Sequence, residues 1–196
     1  MWREPDPYCA LCEGDGFIAD QHRQQTHPCP LCTAPWPTQP ASRTTWLESC
    51  EQIPARWHGH IFNVPPTQLV IHRAASNGDI AHYFADPSDG RKVSAHFVIR
   101  PNGVAVQCVP LNTVAWHAGP ANSMSLGIEL SGAIDTDFEP LMLDRLVALV
   151  VELRSICPSL ATVLGHVDLC PWRRRDPGAN FPWAQLAGLG LSSPHF

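Results

Sequence analysis

The chain has 196 residues, a formal net charge of −5 and a pI near 6.0, room for one full-sized domain and a small appendage. An acidic balance argues against a protein held on nucleic acid by phosphate contacts, so no nucleic-acid partner is expected and the basic run Arg173, Arg174, Arg175 needs a local explanation. No apolar run is long enough to span a membrane, and the opening MWREPDPYCALC lacks the apolar stretch of a secretory signal. The expectation is a cytoplasmic chain without stable membrane insertion, and a monomer.

In chain order, the first feature is Cys9, Cys12, Cys29 and Cys32, spaced C-x2-C-x16-C-x2-C. Two such pairs aim four soft ligands at one point, which predicts a structural zinc site in a small module over 1–34. Paired disulfides fit poorly with a reducing cytoplasm, and a redox CxxC would want a βαβ pattern around it. The segment resembles half of the cysteine-rich region of DnaJ-type chaperones, with Gly14 and Gly16 after the first pair. That resemblance implies a zinc knuckle, not chaperone activity. The remaining cysteines, Cys50, Cys108, Cys157 and Cys170, read as small buried hydrophobes. Pro35, Pro37 and Pro40 then break regular structure, giving a linker over 35–45 before a larger domain over 46–196.

Within that domain QLVIH (68–72) reads as a buried strand and DIAHYFAD (79–86) as a short helix stopped at Pro87. VSAHFVIRPNGVAVQCV reads as two strands joined across an RPNG turn, and SLGIELSG as another strand. Residues 140–156 open with a proline and repeat apolar residues at 143, 146, 147, 150 and 153, the pattern of a core-facing helix. TVLGH (162–166) is a last strand. Strands interleaved with a long helix predict an α/β fold, a central mixed sheet flanked by helices.

Two histidines, His72 and His166, end predicted strands, and Asp176 sits in a loop shaped by Pro177 and Gly178. Strands that stop at one sheet edge would bring the imidazoles together, and two His with one carboxylate leave a position open on a tetrahedral metal, the pattern of catalytic zinc. Each residue also has a duller reading: a hydrogen-bonded histidine at a strand end, or an aspartate forming a turn before proline. Spacing leaves both open.

The larger domain resembles the type 2 N-acetylmuramoyl-L-alanine amidases, a family that takes in phage endolysins, cytosolic muropeptide-recycling amidases and animal peptidoglycan-recognition proteins. The segments that carry the resemblance are LVIHRAAS, VSAHFVIRPNGVAVQCVP, AWHAG, SLGIELSG and LGHVDLCPWRRRDPG, in that order. It implies a catalytic zinc on His72, His166 and Asp176, beside the structural zinc on the cysteines. It implies that Glu129, in GIEL, transfers protons, and that Arg174, where lysine is common, stabilises charge without giving up a proton. Ala95 stands where some phage members carry a tyrosine, which fits the glutamate-using branch. Trp116 and His117 would wall the cleft against sugar or peptide, Trp116 as readily packing in the core, and His96 would line the cleft or pack below it. The implied reaction is hydrolysis of the amide between the lactyl group of N-acetylmuramic acid and the L-alanine of the stem peptide, with peptidoglycan or muropeptides as partners. An appended zinc module points to a phage or prophage endolysin reaching the wall through a holin-type lesion. The alternatives are a recycling amidase or a silent peptidoglycan-binding module, the last disfavoured because all three ligand residues are present.

Overall fold

The computed structural model describes residues 17–20, 25–28 and 45–196, except 77, 134–135 and 173–174. Phe17–Asp20 (β1) and Gln25–Pro28 (β2) pair as an antiparallel ladder, Phe17 opposite Pro28 and Asp20 opposite Gln25. The ladder falls between Cys12 and Cys29. The four cysteines, and with them the expected structural zinc site, lie outside the described residues, as does the linker up to residue 44.

The larger domain is tied at its start by Gln107, a polar side chain with no exposed surface. Its amide donates to the Thr45 carbonyl at 2.7 Å and its Oε1 accepts from the Leu47 N–H at 2.7 Å. Those bonds hold Leu47 in the core and satisfy a buried amide that would otherwise be costly.

Six strands form one sheet: Glu51–Gln52 (β3), Gln68–Arg73 (β4), Phe97–Ile99 (β5), Ala105–Gln107 (β6), Ser125–Leu130 (β7) and Thr162–Gly165 (β8), in the order β3-β6-β5-β7-β4-β8. β4 lies between β7 and β8 and is parallel to both. β5 is parallel to β7 and antiparallel to β6, joined to it by the RPNG turn, where Gly103 takes a φ of +81°. A residue with a Cβ is strained in that conformation.

Period-two alternation sorts the side chains onto two faces. Leu69 and Ile71 of β4, Phe97 and Ile99 of β5, and Leu126, Ile128 and Leu130 of β7 pack in one core against the helix Pro140–Ile156. That helix starts on Pro140 and closes with Cys157 N–H on the Leu153 carbonyl, just before Pro158. It buries Met142, Leu143, Leu146, Leu149, Val150 and Leu153, three and four residues apart. Each such side chain contributes about 1.5–3 kcal/mol by leaving water.

The opposite face carries Val70 and His72 from β4, Ser125, Gly127 and Glu129 from β7, and Val98 from β5. Two small elements cover parts of it. The helix Ile80–Ala85 (α1), capped by the Asp79 carboxylate, packs Ala81 and Phe84 over Val98 and Val106. A 3-10 helix, Gly119–Met124, packs Ala121 over Val70. Between them the sheet floor stays open as a cleft. With α1 defined, the long helix 140–156 is α2, and His166–Leu169 is α3. His166 therefore opens a helical turn rather than ending β8. No described helix is long and apolar enough to cross a membrane.

Candidate active site

Strand order brings the two histidines together. In the β4–β8 ladder Ile71 pairs with Gly165, so His72 and His166 are each the next residue out on adjacent parallel strands. Asp176 arrives from the loop after α3, folded back by a bond from Val167 N–H to its own carbonyl at 3.0 Å. Gly165 makes room for that loop, since a Cβ there would stand 2.8 Å from Pro177 Cδ. All three residues are buried, at 1, 8 and 6% exposure.

Three atoms converge. His72 Nδ1 lies 3.0 Å from His166 Nδ1 and 3.0 Å from Asp176 Oδ2, and His166 Nδ1 lies 3.2 Å from the same oxygen. One proton can serve one edge of that triangle, so it is not fully explained as three hydrogen bonds. Ligands about 2.0–2.1 Å from a tetrahedral zinc stand roughly 3.3–3.4 Å from one another, close to these separations. Burial works against the Asp176 carboxylate, but its close contact with the His166 and His72 rings outweighs it and holds the group far below the usual carboxylate range. A carboxylate so stabilised is ionised at neutral pH, the state metal ligation requires.

The triangle lies in a cavity of about 690 Å³ that runs from His72 and Glu129 past Trp116 and His117 to Tyr83 on α1, with Arg91 and Arg175 at its walls. That volume suits a ligand larger than a few atoms. Glu129 is the register partner of His72 across β4 and β7, on strands about 4.8 Å apart, so its carboxylate projects into the same cleft beside the triangle.

The other expected residues fall in different places. Trp116 lines the cavity. His117 lines it too, but its Nδ1 sits 3.0 Å from His72 Nε2 and its Nε2 3.3 Å from Ser125 Oγ, and burial drives its pKa well below the usual histidine value. Of the two places expected for His96 it takes the one below the cleft: it has no exposed surface, its Nε2 donates to the Thr113 carbonyl at 2.8 Å and its Nδ1 accepts from Gly127 N–H at 3.0 Å. Both of its ring nitrogens are thus used below the cleft floor. Burial lowers its pKa to about 4, so it is neutral. Arg173 and Arg174 lie outside the described residues, whereas Arg175 reaches the cavity.

Sequence reasoning missed Ser125 and Gly127. Their signal was present: on one face of an otherwise apolar strand, Ser125, Gly127 and Glu129 run small, small, acidic. It also missed the far wall, where Asp89 accepts from Tyr83 Oη at 2.8 Å and meets Arg91 Nε at 3.1 Å.

Comparison with known proteins gives this geometry a setting. A 1,6-anhydro-N-acetylmuramyl-L-alanine amidase AmpD from Citrobacter freundii is 37% identical over 178 residues, covering 76% of this chain and 95% of the relative. The crystal structure of a selenomethionine AmpD derivative superposes with a TM-score of 0.68 at 29% identity, over 76% of this chain and 97% of that one. An endolysin amidase, LysCS from Clostridium intestinale, shares the fold with a TM-score of 0.62 at 23% identity, over 76% and 99%. A family model described as N-acetylmuramoyl-L-alanine amidase matches residues 62–179, a span that holds His72, Glu129, His166 and Asp176. The chain belongs to the N-acetylmuramoyl-L-alanine amidase family.

Proposed function

We propose that the chain is a zinc-dependent amidase that cleaves the bond between the lactyl group of N-acetylmuramic acid and L-alanine, with His72, His166 and Asp176 holding the metal. The observation that carries this reading is the triangle of donor atoms 3.0–3.2 Å apart, buried at the floor of a cleft with Glu129 beside it. Zinc held there supplies Lewis acidity at the scissile carbonyl and brings the pKa of water towards 7. Glu129 takes the proton from the attacking water and returns one to the departing alanine nitrogen, a role its place beside the triangle suits. Arg174, two residues before Asp176, stabilises developing negative charge and keeps its own proton. Trp116 gives the sugar or peptide an apolar wall.

Between the two settings, the relatives favour recycling chemistry. The curated relatives that match nearly end to end act, by name, on 1,6-anhydro-N-acetylmuramyl peptides, whereas the endolysin likeness speaks for fold alone. A soluble anhydro-muropeptide is the substrate this supports, in place of the polymeric wall expected from the appended cysteine module. Mass spectrometry of an anhydro-muropeptide and of purified peptidoglycan, each digested with wild type, Glu129→Ala or wild type plus chelator, tests both statements. Free L-alanine-terminated peptides should appear with wild type alone, and faster from the soluble substrate. Intact stems in every sample would overturn the enzyme reading in favour of a binding module, and faster release from polymer would restore the endolysin.

A further inference from the structure

We propose that His117 is a positioning residue: it fixes the tautomer of His72 and so sets the zinc affinity of the His72–His166–Asp176 centre, an inference that rests on the zinc reading above. The argument follows one chain of protons. The Ala121 carbonyl can only accept, and Ser125 Oγ lies 2.6 Å from it, so the single hydroxyl proton of Ser125 is committed there. In its contact with Ser125 Oγ at 3.3 Å, His117 Nε2 must then be the donor. Among the described residues no carboxylate contacts the His117 ring to hold a second proton, so its one ring proton is on Nε2 and its Nδ1 is a lone pair. That lone pair faces His72 Nε2 at 3.0 Å, which therefore carries the proton of His72. His72 Nδ1 is left bare, aimed at Asp176 Oδ2 and His166 Nδ1. A bare nitrogen 3.0 Å from a carboxylate oxygen is repelled unless a cation lies between them, which is what a ligand tautomer calls for.

The fold holds His117 for this task by two independent devices. Asn122, 1% exposed, accepts from the backbone N–H of His117 at 3.0 Å and of Ala118 at 2.7 Å, fixing the turn. The ring itself lies against bare β7 backbone: a Cβ on Gly127 would stand 2.6–2.9 Å from three of its atoms. It meets His72 edge-on, at 5.1 Å between centroids and 89° between planes. Both ring nitrogens of His117 are thus engaged inside the protein while the residue stands at the cavity wall. A neutral imidazole as acceptor also adds no negative charge to His72, leaving Asp176 as the one anionic group of the triangle.

The test uses the full-length protein, with cobalt(II) titration and zinc competition. Thiolate-bound cobalt has a charge-transfer band that a His/His/Asp centre lacks, so binding at the N-terminal cysteines reads separately. His117→Phe keeps a ring and removes the acceptor; His117→Gln keeps a carbonyl that can accept and an amide that can donate. We expect His117→Phe to weaken metal binding about 10–100-fold, the usual effect of losing such a partner. In zinc-free protein at pH 8, nitrogen-15 spectra should show the His72 proton on Nε2 in wild type and shifted to Nδ1 in His117→Phe. His117→Gln should recover most of the affinity, and Ser125→Ala should fall between, with a mixture of tautomers. A folded His117→Phe with wild-type affinity and tautomer overturns the proposal, as does His117→Gln as weak as His117→Phe. If His117→Phe does not fold, unchanged affinity and tautomer in Ser125→Ala overturn it instead. Wild type that binds metal only through thiolates would sink the zinc reading itself.

Discussion

Glu129 and His96 are both ionisable residues on the cleft side of the sheet, and their surroundings divide their work. Glu129 reaches the cleft beside the triangle. Glu129→Gln keeps its shape and removes its proton chemistry; kcat should fall about 10²–10⁴-fold while zinc content stays at the wild-type level, measured by product release and metal analysis. His96 is neutral below the floor, and its stability effect has a definite sign. Below pH 6.5 the unfolded chain gains a proton there that the folded protein refuses until about pH 4. Stability therefore falls as pH drops through that window, by on the order of 3 kcal/mol from this residue. His96→Gln should be less stable than wild type at pH 7, with the gap closing by about that amount at pH 4 in urea unfolding. Strand-end histidines and an aspartate before Pro-Gly marked the triangle only as a possibility, and the ordered family motifs around them singled it out. The sequence left the place of His96 open and did not show the contacts of His117, because Thr113, Gly127 and Ser125 come from other segments.

Elements differ in how openly they announce themselves. α2 was readable because Pro140, a 3.6-residue apolar repeat and Pro158 agree. β3 was not, since two residues cannot show a period. Nor was the adjacency of β4 and β8, which joins positions 94 residues apart. Leu149 of α2 has no exposed surface, and Leu149→Ala should cost about 2–5 kcal/mol in denaturant unfolding. Arg73 shows how a strand organises a loop. It is 5% exposed, lies over the Phe138 ring at 4.2 Å, and donates to the Ala133 carbonyl at 3.0 Å and to Thr136 Oγ1 at 2.8 Å. Burial lowers its pKa, and the Glu139 charge opposes the shift. Thr136 in turn accepts from Asn180 Nδ2 at 3.1 Å, four residues beyond Asp176. Arg73→Met should therefore speed amide exchange both at 136–139 and at 178–181, and lower zinc affinity severalfold; protection changes confined to 136–139 would break that link.

At the scale of the whole molecule, the larger domain is anchored from Thr45 and Leu47 by Gln107, and the family match lies within it. Removing residues 1–44 is expected to leave its melting temperature and its turnover of a soluble muropeptide close to those of the full chain. A selective loss on polymeric peptidoglycan would assign wall targeting to the cysteine module. One feature of β4 bears on how such a protein can change. His72 and Arg73 are consecutive, so they leave the strand on opposite sides, one into the cleft and one into the seam with α2. Deleting a single residue anywhere between Gln68 and Ile71 would shift both by one place, putting the Arg73 guanidinium among the metal donors and the His72 imidazole where Ile71 sits in the core. A length change within β4 would thus dismantle the metal centre and the core at one stroke, whereas a substitution on either face touches one of them alone.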